Sequence, residues 1–116
     1  MDLQTALHTR VSVPKVTTEE PPRETILKLL DAGNQAPNHH RVRPWRFFVL
    51  TGDARTRLGD VMAASLLDRE PAATPEQLDK TRALPLRAPV IVAVGVDAPR
   101  EERIIEIENV CAAAAA

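Results

Sequence analysis

The 116-residue chain has few aromatic residues, one cysteine and no long apolar run. Its aromatic share is 3% against 44% hydrophobic residues in all, so an aliphatic core is expected. The single cysteine, Cys111, excludes an intramolecular disulfide and a zinc site built on paired thiolates. No apolar stretch approaches the roughly 18 residues of a membrane-spanning helix, and the first ten residues do not resemble a signal peptide. These absences predict a cytoplasmic protein with no membrane partner.

An excess of basic charge is also lacking. The chain has 15 Lys and Arg residues against 16 Asp and Glu residues, which gives a formal net charge of −1. Because domains that bind nucleic acid usually carry a basic excess, no nucleic-acid partner is expected. The length matches one domain of the usual size, about 100 to 150 residues, and we expect residues 1–116 to form a single domain.

Helical and extended patterns alternate along the chain. The predicted elements are a short helix capped by Asp2, a helix from Pro22 that Pro37 terminates, a strand over Trp45 to Thr51, a helix from Asp53 to about Asp68, a helix from Thr74 to about Ala83, a strand over Pro89 to Val96 and a helix from about Glu101. This alternation predicts an α+β fold, a mixed α/β sandwich with a central sheet flanked by helices.

Three of these elements carry sharper predictions. Thr74, Pro75 and Gln77 have the spacing of a reciprocal capping box with proline in the first turn. The strand over 89–96 is continuously apolar and β-branched, which is typical of a strand covered on both faces. Cys111 lies in the apolar pattern of the last helix, so it is expected in the core.

Motifs for covalent or metal chemistry are missing. No Gly-rich phosphate loop is present, Ser12 and Ser65 lack a nucleophile motif, and Cys111 has no neighbouring base. The adjacent His39 and His40 point apart in regular structure and have no partner at the spacing of a metal site. We therefore predict no metal site and no catalytic side chain.

Two polar loops remain as candidate binding sites. One loop combines Arg10, Ser12 and Lys15, and the other runs over residues 39–43 with two histidines and two arginines. A guanidinium, a hydroxyl and an ammonium close together suit a phosphate, since charge-assisted hydrogen bonds hold its oxygens in a fixed geometry. Solvated loop residues are the other interpretation, and it stays open for both loops.

The order of these segments resembles the nitroreductase family. The resemblance rests on "TRVSVPK", "LLDAGNQAPNHHRVRPWRFFVL", "GDARTRL", "RAPVIVAVGVDA" and "EIENVCAAAAA", which together cover nearly the whole chain. It is strongest for the small single-domain branch of NAD(P)H nitroreductases. The most specific parts are the segment that leads into the Trp45 strand and the strand that follows Arg87.

The resemblance implies a homodimer that binds FMN at its interface and passes a hydride from NAD(P)H to nitro compounds or quinones. By motif, Arg10, Val11 and Ser12 match the positions that hold the phosphate and ribityl chain of FMN. Gln35 and His39 match positions that meet the flavin. Since the flavin carries the redox chemistry, no catalytic acid or base is needed from the protein.

Departures from the family pattern limit what the resemblance implies. The basic residue often found two positions after the serine is replaced by Pro14, and Arg43 stands where Gln often precedes Pro44. The family also continues beyond the elements found here, so residues 1–116 are expected to be the N-terminal portion of the family domain. An alternative is a non-catalytic, truncated homodimer that binds a flavin or another small ligand.

Overall fold

The computed structural model describes residues 1–37, 43–96 and 111. The elements in these ranges are α1 (Leu3–Thr9), α2 (Arg23–Asn34), β1 (Trp45–Leu50), α3 (Asp53–Arg69), α4 (Pro75–Ala83), a 3₁₀ turn (Leu84–Arg87) and β2 (Ile91–Val96). The order of helices and strands confirms the α+β class. The helix expected from about Glu101 lies outside the described residues except for Cys111, which is helical.

Side-chain hydrogen bonds fix where α1 and α4 begin, because they satisfy backbone N–H groups that have no partner within the helix. The Asp2 carboxylate accepts hydrogen bonds from the backbone N–H and the hydroxyl of Thr5, both at 2.9 Å, and so caps α1. At the start of α4, the Thr74 hydroxyl accepts from the N–H of Gln77 at 3.3 Å, while the Gln77 side chain accepts from the N–H of Thr74 at 2.7 Å. The capping box expected from the sequence is confirmed.

The two described strands pair antiparallel, with Trp45 opposite Val96 and Leu50 opposite Ile91. Because side chains alternate along a strand, Trp45 and Phe47 share a face with Val94. Trp45 is 4% exposed and packs with Ala36, which is 5% exposed, while Phe47 and Val94 lie partly buried against this pair. This cluster joins the sheet to the segment that follows α2.

Helices α3 and α4 pack closely at Gly59. A Cβ atom there would collide with the carbonyl oxygen of Arg82, so only glycine allows this approach. The Arg82 guanidinium also lies 2.8 Å from the Asp79 carboxylate and 3.5 Å from that of Asp60. The α3–α4 pair therefore forms a second packed unit beside the sheet.

Two expectations drawn from apolar patterns are wrong for the described residues. β2 pairs there only with β1, and Val92 and Val96 are 42% and 46% exposed, so the strand is not covered on both faces. Cys111 is exposed rather than in the core. An apolar pattern shows which face of an element tends to leave water, but it does not show which surface covers that face.

No helix among the described residues is both long enough and apolar enough to cross a membrane.

Candidate functional site

The first candidate segment, Arg10 to Ser12, directly follows α1. Arg10 is the C-cap residue of the helix, and its N–H donates to the carbonyl of Ala6 at 3.1 Å. The side chains of all three residues are exposed, and Val11 is 71% exposed. The guanidinium and the hydroxyl of this segment are therefore accessible to a ligand.

A long-range hydrogen bond fixes the loop after this segment. Nη2 of Arg87 donates to the carbonyl of Pro14 at 2.9 Å, which joins positions 73 residues apart in the sequence. Pro14 has a restricted φ angle, which further limits the conformations of the loop. The position of Ser12 is thus fixed on one side by α1 and on the other by the residues that precede β2.

The second candidate position, Gln35, ends α2. Its N–H donates to the carbonyl of Ala32 at 3.0 Å, and the next residue, Ala36, donates to Gly33 at 3.2 Å. These bonds satisfy carbonyls that the last turn of a helix leaves free. The Gln35 side chain is exposed at this helix end, so its amide can both donate and accept hydrogen bonds.

A hydrogen bond closes the base of the loop that contains His39. The indole N–H of Trp45 donates to Oδ1 of Asn34 at 3.1 Å, and Trp45 packs on Ala36 at the same point. The two ends of the loop are therefore held together at the junction of α2 and β1. His39 itself lies outside the described residues, so its predicted contact with a flavin stays a prediction.

Backbone strain occurs where the chain enters β1. Arg43 has a φ of 47°, in the left-handed region, and the buried Pro44 follows it. This conformation costs a non-glycine residue about 1–2 kcal/mol. The burial of Pro44 and Trp45 holds Arg43 in this conformation despite its cost. Strained residues of this kind are often found near functional sites.

An open surface cleft of about 500 Å³ lies between α2 and β1 and includes Asn34, the residue before Gln35. The residues that line it are Leu27, Leu30, Asp31, Asn34, Arg43, Trp45, Arg46 and Phe47. The sequence interpretation missed Asn34 and Asp31, because helix periodicity does not show which polar residues face a cavity.

The structure places the predicted site residues in two groups. Arg10, Val11 and Ser12 form one group, and Gln35 lies at the α2–β1 junction. No hydrogen bond or ion pair between described side chains connects the two groups. Among residues 1–37, 43–96 and 111, no three His, Cys, Asp or Glu residues lie close enough together to hold a metal ion.

The chemistry of these donors fits a flavin nucleotide. A guanidinium and a hydroxyl two positions apart can both donate to phosphate oxygens, and both are exposed here. The Gln35 amide offers a donor and an acceptor, which matches the polar edge of a flavin ring. The charge and the hydrogen-bonding capacity of these residues are therefore suited to the cofactor that the sequence resemblance implies.

The model of the nitroreductase family matches residues 7–116, so the chain belongs to the nitroreductase family. It is 33% identical over 94 residues to the Escherichia coli protein named "Putative NAD(P)H nitroreductase YdjA", an alignment that covers 81% of this chain and 50% of that protein. A Haemophilus influenzae protein named "Putative NAD(P)H nitroreductase" is 30% identical, with the same coverage of each chain. The chain spans about half the length of these curated relatives.

Solved structures show the same fold. A nitroreductase-like family protein from Bacillus cereus superimposes with a TM-score of 0.76 at 23% identity, over 99% of this chain and 61% of that one. A BluB-like flavoprotein from Clostridium difficile 630 gives 0.70 at 23% identity, over 99% and 67%. The nitroreductase-like fold expected from the sequence is confirmed.

Proposed function

We propose that the chain belongs to a cytoplasmic, FMN-dependent oxidoreductase that transfers a hydride from NAD(P)H to a nitro compound or a quinone. Residues 1–116 form part of a single nitroreductase-like domain, which works as a homodimer. The observation that carries the proposal is the family match over residues 7–116. The names of the relatives, which include NAD(P)H, support the choice of reductant.

The flavin site that we propose uses the two groups of exposed polar residues. Arg10 and Ser12 donate to the phosphate, while the Val11 backbone and side chain lie along the ribityl chain. Gln35 and His39 contact the flavin ring. The flavoprotein among the structural neighbours supports a flavin as the cofactor.

In the mechanism, a flavin held by Arg10, Ser12, Gln35 and His39 would supply the chemistry of hydride transfer between NAD(P)H and the acceptor. The protein binds the flavin and orients it toward its substrates. The Arg10 guanidinium compensates the phosphate charge, and the bond from Arg87 to Pro14 keeps the Ser12 segment in place. The Trp45–Asn34 bond holds the base of the loop that presents His39. The protons that reduction of the acceptor consumes would come from solvent, and no side chain is assigned as a catalytic acid or base in this scheme.

Exposed apolar side chains support a dimer. Large apolar residues of α1 and the following loop are exposed, among them Leu3, Leu7 and Val11. Extended apolar surface of this kind marks an interface in many proteins. Sedimentation velocity tests this part of the proposal, with a species of twice the chain mass expected.

A non-catalytic homodimer that binds flavin or a small ligand is the second candidate. The two candidates differ in turnover but share the site. NAD(P)H oxidation with menadione or a nitroaromatic as acceptor separates them once flavin binding is established.

The experiment that tests the site is a titration of FMN followed by its fluorescence. We expect the wild-type chain to bind, and Arg10→Gln to bind about tenfold more weakly, because a charge-assisted contact to the phosphate is lost. Arg57→Gln is the matched control, since Arg57 is an exposed arginine on α3 away from the site. Equal weakening by both substitutions, or no binding by the wild type, would overturn the proposal.

A further inference from the structure

A second polar cavity is lined by residues outside the flavin site that we propose. It has a volume of about 230 Å³ and lies between the loop before α2, the start of α3 and the segment before β2. Its lining residues are Thr17, Thr18, Arg55, Leu86, Arg87, Ala88 and Pro89. Arg10 and Ser12 do not line it. The cavity thus combines two guanidinium groups with two threonines.

Main-chain carbonyls hold both guanidinium groups in place. Nη1 of Arg55 donates to the carbonyl of Ala88 at 2.6 Å, and Nη2 of Arg87 donates to the carbonyl of Pro14 at 2.9 Å. Each guanidinium has five N–H donors, so these bonds leave most of them available. In particular, Nε of Arg55 is buried and has no hydrogen-bond partner.

The charge of this cavity is not balanced by the described residues. In that part of the chain no carboxylate forms an ion pair with Arg55 or Arg87; the ion pairs found there involve other cations. A partly buried cation is costly unless an anion or acceptor compensates it. The unpartnered Nε of Arg55 adds the cost of a buried donor without an acceptor. Arg87 is exposed to water, so an anionic ligand rich in acceptors would chiefly compensate the charge of the half-buried Arg55.

We propose that this cavity binds a phosphate group, either as free phosphate or as the monoester of a nucleotide. The oxygens accept from the guanidinium groups of Arg55 and Arg87 and from the hydroxyls of Thr17 and Thr18. Two arginines and hydroxyls are the donors that phosphate sites use most. The cavity is smaller than the usual range for whole drug-sized ligands, about 300–1,000 Å³, which matches a single group rather than a complete cofactor.

The site also has a structural consequence. Arg87 connects the cavity to the loop that carries Ser12, through its bond to Pro14. Arg55 connects it to the residue just before β2, through Ala88. A phosphate bound to both arginines would join the N-terminal loop, α3 and the approach to β2. Binding should therefore raise the melting temperature of the chain, because a ligand that binds only the folded state stabilises it.

Calorimetric titration with inorganic phosphate, at ionic strength kept constant with chloride, tests the proposal. We expect saturable binding by the wild type, and about tenfold weaker binding by Arg87→Gln, which corresponds to about 1.4 kcal/mol. The matched control Arg57→Gln, on the same helix as Arg55, should bind like the wild type. Absence of binding by the wild type, or equal affinity of Arg87→Gln and Arg57→Gln, would overturn the proposal.

Two further readouts keep the test independent of folding defects. The Thr17→Val, Thr18→Val double variant leaves both arginine bonds intact and should bind phosphate about fivefold more weakly. In a ¹H–¹⁵N spectrum, the Nε–H signal of Arg55 should shift on phosphate addition. A signal that stays unchanged at saturation contradicts the assignment of Arg55.

Nucleotide probes identify the source of the phosphate group. Tighter binding of adenosine monophosphate than of phosphate indicates a nucleotide monoester, and equal or weaker binding indicates free phosphate; both results support the site. Binding of adenosine as tight as that of its monophosphate would contradict it. In the Arg10→Gln variant, phosphate that still shifts the Arg55 Nε–H signal binds in this cavity and not at the flavin site, so the failure of this site and the failure of the flavin site are distinguishable.

Discussion

The indole of Trp45 and the amide of Asn34 are joined by a hydrogen bond of 3.1 Å, which connects the last residue of α2 to the first residue of β1. Trp45 is 4% exposed, so its N–H has little access to water as a substitute partner. This pair closes the segment that contains His39. The bond therefore contributes to the geometry of the α2–β1 junction.

Asn34→Ala removes the acceptor and leaves the buried indole N–H without a partner. We expect the free energy of unfolding to fall by about 1–3 kcal/mol, the cost of an unsatisfied buried donor. Trp45 is the only tryptophan, so urea unfolding followed by its fluorescence reports on this site directly. Gln35→Ala, at the exposed neighbouring position, should change stability by less than about 0.5 kcal/mol. Similar losses in both variants contradict the importance of the pair.

Gly59→Ala tests the close approach of α3 and α4. In a free helix this change stabilises by about 0.8–1.0 kcal/mol, since alanine has the better helix propensity. Here the added Cβ meets the carbonyl oxygen of Arg82, which belongs to the backbone and cannot move alone. We expect a net destabilisation of about 1–3 kcal/mol in thermal or urea unfolding.

Ser65→Ala serves as the control for this position, because Ser65 is exposed on the same helix. It should leave stability unchanged or raise it slightly, since propensity alone acts there. A stabilising effect of Gly59→Ala would show that the two helices are not packed as described.

Thr74→Ala removes the hydroxyl that caps α4. The expected loss is about 1 kcal/mol, typical of an N-cap threonine. Gln77→Ala breaks only the reciprocal bond to the Thr74 N–H, which water can replace at this exposed site, and should cost less. Thr74→Ser retains the acceptor and is the matched control. If Thr74→Ser and Thr74→Ala are equally destabilised, the cap does not hold the helix.

Asp2 gives α1 a pH dependence. Hydrogen bonds from the backbone and the hydroxyl of Thr5 lower the pKa of the Asp2 carboxyl below its usual range. Because the folded pKa is lower than the unfolded one, of about 3.9, the cap stabilises α1 fully above that value. The stabilisation is lost as pH falls through the lowered pKa of the folded state.

Carboxyl ¹³C shifts measured against pH check this prediction. The midpoint for Asp2 should lie below that of an exposed aspartate without such bonds. Asp2→Asn keeps a good N-cap and should remove this pH dependence of α1. A midpoint for Asp2 at the ordinary value would show that the Thr5 bonds do not form in solution.

Local features of the fold could be predicted from the sequence because local interactions determine them. The α3 start at Asp53, the α4 capping box at Thr74 and the strand from Trp45 all follow from residues within a few positions of one another. The family resemblance was visible for the same reason, as short motifs in a fixed order, and the family model over residues 7–116 confirms it.

Non-local features could not be predicted in this way. The β2 pattern indicated a strand covered on both faces, and Cys111 an interior position, yet Val92, Val96 and Cys111 are exposed in the described part of the chain. Which surface covers an apolar face depends on distant segments or on another chain. The bond from Arg87 to Pro14, across 73 positions, likewise had no sequence signal.

The candidate site likewise contains some residues that the sequence identified and others that it missed. The sequence motif identified Arg10, Val11 and Ser12, and these residues are exposed beside one another. Asn34 was missed, because its role depends on the position of the Trp45 indole in space. The pair Arg55 and Arg87 was also missed, since nothing in the sequence shows that α3 and the approach to β2 meet.

A crystal structure of the chain with FMN bound is the decisive test of the flavin site. We expect phosphate oxygens within hydrogen-bond distance of the Arg10 guanidinium and the Ser12 hydroxyl, with the flavin ring against Gln35 and His39. A flavin whose phosphate lies elsewhere, with Arg10 and Ser12 still in solvent, would contradict this expectation.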